Sequence, residues 1–366
     1  MRRPAPDGRD AADRPVRAGQ RLRLRRQQHL PGAAGGPPVL TPHRPAEADI
    51  VVTGVATVVP GPGRPPGAWF DADAELGPRG HKYLPQGTRY LLAAGRRALR
   101  SATAPVQVPP DRRGLVVGTN NGLAPLFRAM DRTVVDTGAE RLRPALAPYF
   151  AVNVLAGRFA AEQALKGFSC TLTTSSVAGV EAVQTAVRAL RLDRADLVVV
   201  AAVEDLAPSS AGTAGPPPEE GAVALVLEPR AAAERRGAPV RGSLRAAAAF
   251  VPPGIDAADP ELGLAVGDLL SAVQSEPPAP VHAVLDGSAR GTAVGALLGA
   301  SARRAARPAG AGCLAPLLAA AEPFAAGGGR RVVLTATAAG HLAAVHVLAA
   351  APRPTPSGGL RAQSTA

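Results

Sequence analysis

Residues 169–203 read SCTLTTSSVAGVEAVQTAVRALRLDRADLVVVAAV, a strand, a helix and a second strand in succession. Thr171-Leu172-Thr173 is a short strand. After Ser175-Ser176 the apolar positions Val177, Val180, Val183, Val187 and Leu190 recur at helical spacing, with the two serines placed as N-caps. Leu197 to Val203 is then a continuous apolar run, as expected of a strand covered on both faces.

The same alternation extends outward on both sides. Upstream, Ile50-Val51-Val52-Thr53-Gly54-Val55 is a β-branched run closed by the turn-prone Pro60-Gly61-Pro62-Gly63, so ordered structure begins there. Residues 85–101 form an amphipathic helix through Tyr90, Leu91, Leu92, Ala94 and Leu99, followed by a buried strand at 114–119. Between Asn153 and Lys166 a further apolar stripe predicts a helix, with Gly167 where a left-handed C-terminal cap is wanted. Downstream the spacing predicts a strand over 223–227, a helix over 262–273, a strand over 281–285 and a helix over 313–321. A hairpin closes the body, with strands at 331–335 and 344–348 flanking Ala338-Ala339-Gly340. Strands and helices alternating in two successive halves imply a layered α/β architecture.

Composition narrows the function classes. Aromatic residues make up only 3% of the 366 residues while Gly (40) and Pro (38) are abundant, so the core is built from Ala, Val and Leu with many short turns. The net charge of +12 points toward nucleic acid only if the basic residues form a patch interleaved with aromatics, and they do not. Residues 1–49 hold ten arginines against five acids and have no sustained apolar periodicity. They read as a disordered basic extension or one foreign to the native fold, and residues 351–366 as a disordered tail. Arg2-Arg3 lacks an apolar stretch behind it and is no export signal, and no run suits a membrane span, so a cytoplasmic protein is expected. Two cysteines, Cys170 and Cys313, are too few for a disulfide framework or a cysteine-rich metal site and read as small buried apolar residues.

The landmarks from Ile50 to about Leu348 resemble those of the β-ketoacyl synthases of the thiolase fold. Val51-Val52-Thr53-Gly54-Val55 is similar to the family's opening strand, Gly118-Thr119 with Asn121-Gly122 to its Gly-rich turn, and Ala151-Val152-Asn153 to its Asn-bearing helix start. Lys166-Gly167 before the elbow, and Glu219-Glu220-Gly221-Ala222 opening an apolar strand, resemble the same family. The resemblance implies a thiolase-like α/β fold of two pseudo-repeated halves, at 50–230 and 231–350, in α-β-α-β-α layers.

Catalysis in that family rests on an elbow cysteine activated by a helix N-terminus and on two histidines. The resemblance puts Ser176 at the cysteine, Asp286 at the first histidine and Ala306 at the second. A serine hydroxyl needs an adjacent base, and a carboxylate at 286 repels a malonyl carboxylate. All three groups are degenerate, which resembles the chain length factors of type II polyketide synthases.

Such a factor implies no cofactor and no metal, and two partners: an active ketosynthase in a pseudo-symmetric heterodimer, and an acyl carrier protein bearing the polyketide chain, whose acidity suits a basic body. It also implies a tunnel whose end sets chain length. Counting back from Asn153 puts its gating positions at Gly122, Pro125 and Ala129, with Leu126, Phe127 and Met130 beside them and Leu155 and Phe159 as apolar wall. Three small residues suggest an open tunnel and a long product such as a polyene. The alternatives are an acyltransferase or priming decarboxylase with Ser176 as nucleophile, and a purely structural or regulatory binding protein.

Overall fold

The computed structural model describes residues 49–61, 63–65, 67–103, 107–206, 219–252, 260–274, 277–299 and 307–351. The extension over 1–48, the loop 207–218 and Ala306 lie outside them, as does the tail from 352.

β1 (Ile50–Val58), β2 (Arg113–Gly118), β3 (Ser169–Leu172), β4 (Leu197–Leu206) and β5 (Glu219–Pro229) come first in the chain. β6 (Gly242–Phe250), β7 (Val281–Leu285), β8 (Arg307–Pro308), β9 (Gly329–Ala336) and β10 (His341–Ala349) follow. They form one sheet in the order β3-β2-β4-β5-β1-β6-β10-β9-β7-β8. The order holds an internal repeat. In each half the second strand runs parallel to the third and fourth, the fourth is antiparallel to the fifth, and the fifth to the first. The two first strands, β1 and β6, join the halves through only two residue pairs, Val51 with Ser243 and Val52 with Gly242.

Three apolar clusters explain the layering. α5 (Ala178–Arg191) and α9 (Leu314–Ala326) lie between the halves, where Val180, Val183, Val187, Leu314 and Leu317 pack on Val198, Leu225, Val333 and Val345. α2 (Gln86–Ser101) and α4 (Val154–Glu162) cover the outer face of the first half through Tyr90, Leu91, Leu155 and Phe159. α7 (Pro260–Val273) and α8 (Ala289–Leu297) cover the outer face of the second through Leu262, Val266 and Val294. Helix, sheet, helix, sheet, helix is the layered α/β order expected from the sequence. β4, buried on both faces from Leu197 to Asp205, shows why its run is continuous rather than alternating.

Three local expectations are corrected. α4 ends at Glu162 with Gln163 as its C-cap, and the residue in the left-handed region is Ala164 (φ 52°), not Gly167. Gly167 is instead packed on the chain before β2, where a Cβ would lie 2.7 Å from the Arg113 carbonyl oxygen. Ser175 and Ser176 do not cap α5: they form a 3-10 turn with Val177, and no side chain caps the helix that follows. Cys313 is fully buried as expected, but Cys170 is only half-buried on β3, the edge strand of the sheet.

Candidate functional site

β3 runs into α5 through a sharp elbow. Ser175 takes φ 48°, a left-handed conformation that non-glycine residues rarely adopt, and this strain turns the chain within one residue. The next residue, Ser176, is thereby placed at the N-terminal end of a 14-residue helix, where N–H groups and the helix dipole favour developing negative charge. Ser176 is 4% exposed, and its Oγ lies 3.4 Å from Thr335 Oγ1 at the end of β9. Thr335 is fully buried. A threonine hydroxyl is no base at neutral pH, so the pair orients Ser176 without activating it.

The floor beneath the elbow is held by Glu204, the buried acid at the end of the apolar β4 run. One oxygen accepts from Asn120 N (2.9 Å) and Cys313 N (3.0 Å), the other from Asn121 N (2.6 Å). Asn120 Nδ2 donates to Ser175 O at 2.7 Å, and Asn121 Nδ2 to Ala311 O at 3.1 Å. One carboxylate and two asparagines thus tie three loops: the turn between β2 and the helix Ala124–Thr137 (α3), the elbow, and the 309–313 turn before α9. The helix ends meet closely. A Cβ on Gly179 would lie 2.8 Å from Cys313 O and 3.2 Å from Leu317 Cβ, so only glycine lets α5 and α9 approach this far.

Glu219, at the start of β5, caps α9: its carboxylate accepts from Leu314 N (3.1 Å) and Ala315 N (2.9 Å). Burial raises the Glu219 carboxyl to about 7, against the lowering effect of those N–H groups. Burial likewise raises Glu204, and raises Asp205 to about 6 with the Glu220 charge adding to it. The Cys313 thiol, whose side chain is hydrogen-bonded to Glu204, is pushed well up by burial and that carboxylate, the reverse of an activated nucleophile.

Asp286 sits on the exposed turn after β7, with both oxygens engaged. Oδ1 accepts from Ser288 N (3.0 Å) and Ser288 Oγ (2.6 Å), and Oδ2 from Ala338 N (2.8 Å). It therefore pins the β7–α8 turn to the β9–β10 turn. Ala306 falls outside the described residues. His341 packs against the Phe250 ring at 5.0 Å, and His346 is buried on β10. Neither hydrogen-bonds to Ser176.

The expected tunnel residues separate into two groups. Leu155 and Phe159 are fully buried core, the Phe159 ring filling the space over Gly95, where a Cβ would lie 2.3 Å from its Cζ. Gly122 is closed in by Thr119 Oγ1, which would meet a Cβ at 2.6 Å, so it belongs to the turn. The other group is on α3. Only Met130 of that helix is buried; Pro125 and Leu126 are half-buried and Ala129 is exposed. Val135 (82% exposed) and Phe150 (65%), the latter at the end of the 3-10 segment Pro144–Phe150, add further exposed apolar surface.

Residues 70–216 match the family model described as beta-ketoacyl synthase, N-terminal domain. No curated protein sequence matches the chain. Among solved structures, the chain is similar to the ishigamide ketosynthase/chain length factor, with a TM-score of 0.64 at 20% identity over 82% of this chain and 99% of that one. The fold is a ketosynthase fold. A type II PKS acyl-carrier protein in complex with its ketosynthase bound to the hexaketide gives a TM-score of 0.63 at 18% identity, covering 82% of this chain and 99% of that one. An oxazolomycin ketosynthase domain of Streptomyces albus gives 0.55 at 17%, covering 84% and 98%. Within this ketosynthase-like body the residue at the elbow is a serine beside a threonine. Among the described residues there is no group of three or more His, Cys, Asp or Glu side chains placed to hold a metal ion, and no helix long and apolar enough to cross a membrane.

The acids Glu204 and Glu219 were not among the sequence candidates. The signal was present: each carboxylate abuts an apolar strand run, a position where a charge survives only if several donors meet it.

Proposed function

We propose that this chain is a chain length factor: a non-catalytic subunit that pairs with an active ketosynthase and shapes the tunnel for a carrier-bound polyketide. The observation that carries the reading is the elbow itself. The strained turn and the helix N-terminus are kept, but the side chain they present is Ser176, whose partner is the Thr335 hydroxyl. Asp286, at the position the resemblance gives to a histidine, is bound into its own turn.

The partner surface is supported by β3 and α3. Among the described residues β3 is paired on one side only, leaving an open edge of the kind natural proteins seldom expose unpaired. The Thr171 hydroxyl on that strand is buried without a hydrogen-bond partner. Together with the exposed apolar side chains of Val134, Val135 and Phe150, this edge suits a second ketosynthase-like subunit. Pro125 and Ala129 on α3, with Leu126 beside them, then face the shared tunnel, and the small bulk of Pro125 and Ala129 favours a long chain such as a polyene.

Co-expression with a ketosynthase encoded beside this chain tests the reading: a stable 1:1 complex is expected, and persistent monomers of both would refute it. The Ser-nucleophile acyltransferase reading draws on the same preserved elbow. Intact-protein mass spectrometry separates the two, because a nucleophile leaves an acyl adduct on Ser176 and a degenerate position leaves none.

A further inference from the structure

At the far end of α5 from Ser176, roughly 22 Å away at 1.5 Å per helical residue, the sheet has a gap. β1 and β6 are paired only at Val51–Ser243 and Val52–Gly242, and before Val51 the ladder stops, leaving a wedge lined by Ile50 on one side and Leu244 on the other. The wedge is a pocket of about 290 Å³ lined by Arg191 of α5, Arg245 of β6, His346 of β10 and Arg230 at the start of α6 (Arg230–Arg235), with Asp49 as the carboxylate. Asp49 is already engaged, its Oδ2 accepting from Arg230 Nε at 2.6 Å.

Two donors in this wedge are unused. His346 is 5% exposed and its Nε2 is buried with no hydrogen-bond partner; the Nε of Arg191 is buried and equally without one. Buried polar nitrogens are almost always satisfied, because an unpaired one forfeits its hydration. Both residues line the same cavity, beside two further guanidinium groups. Burial, with the charges of Arg245 on β6 and Arg330 on β9, lowers the His346 pKa, and the one carboxylate that lines the wedge, Asp49, is held by Arg230, which also pairs with Glu234 at 3.7 Å.

We propose that this wedge is a binding site for a phosphate-class oxyanion. Arg191 and Arg245 pair with its oxygens, His346 Nε2 supplies a further hydrogen bond, and Arg230, fixed by Asp49, lends charge. Guanidinium groups suit a tetrahedral oxyanion because their planar N–H forks match its oxygen spacing. The cavity holds a phosphate with space left for a small attached group. The site is independent of the elbow and of the reading of the chain as a chain length factor.

The test is titration of the full chain with inorganic phosphate and, separately, with glycerol phosphate as a phosphomonoester, against chloride at matched ionic strength. Calorimetry gives the affinity and ring-nitrogen NMR follows His346, its signal assigned by its loss in His346→Gln. Saturable heat is expected, with a rise in the His346 pKa, because the bound anion counters Arg245 and Arg330. Arg245→Gln and Arg191→Gln should each weaken binding about tenfold. Tighter binding of the monoester identifies a phosphorylated metabolite as ligand, and equal binding identifies free phosphate. A response no greater than that of chloride, or affinity unchanged in both arginine variants, overturns the proposal.

Discussion

Glu204 accepts a hydrogen bond from the backbone N–H of Cys313 at 3.0 Å, joining residues 109 positions apart from the two halves of the chain. The same carboxylate holds Asn120 and Asn121, so the site floor is a single buried acid with three backbone donors. Replacing Glu204 with Ala orphans all three donors at once. We expect a loss of about 3 kcal/mol or more in urea unfolding. A loss below about 1 kcal/mol would mean that the loops are held by other contacts.

Glu219 gives the pH dependence a definite sign. Its folded-state pKa, raised to about 7, lies above the unfolded value of 4.5, so the folded protein binds this proton more tightly. Its contribution is fully present below about pH 4.5 and is lost as pH rises to about 7. The wild type should therefore lose more stability than Glu219→Gln over that interval, by on the order of 2–3 kcal/mol. Parallel stability profiles for the two proteins would contradict the assignment.

Phe159 tests the division between core and tunnel. It is fully buried against Gly95, so Phe159→Ala should cost about 3–5 kcal/mol, whatever product the assembly makes. A near-neutral change in thermal or denaturant midpoint would return Phe159 to the tunnel wall.

Ala129 is the complementary case. Because it is exposed on α3, Ala129→Trp should leave stability within about 0.5 kcal/mol and shorten the product made with a partner ketosynthase. Chromatography of the products from the paired variant checks this, and an unchanged length distribution would remove Ala129 from the gate.

The framework of the fold was legible where side chains advertised it. β1, β2, β4, β5 and the β9–β10 hairpin carry dense Val, Leu and Ile, and the hairpin turns at Ala338–Gly340 as the sequence indicated. β6 was not legible: its Ala246–Ala249 run has low strand propensity and extends only because β10 pairs with it residue for residue from Gly242 to Phe250. The site was half visible. The serine at the elbow could be read directly, but the expected N-capping role failed because tertiary packing turns Ser176 toward Thr335, a partner 159 residues away. Asp286 looked like a charge facing substrate, and its commitment to Ser288 and Ala338 depends on a turn contributed by a distant hairpin.

The most direct measurement is chain elongation by the purified chain alone, supplied with a carrier-bound acyl group and malonyl donors, and then again with a partner ketosynthase. On the proposed reading there is no elongation by the chain alone, elongation with the partner, and the same rate when Ser176 is replaced by Ala in the complex. Elongation by the isolated chain that disappears in Ser176→Ala would contradict it.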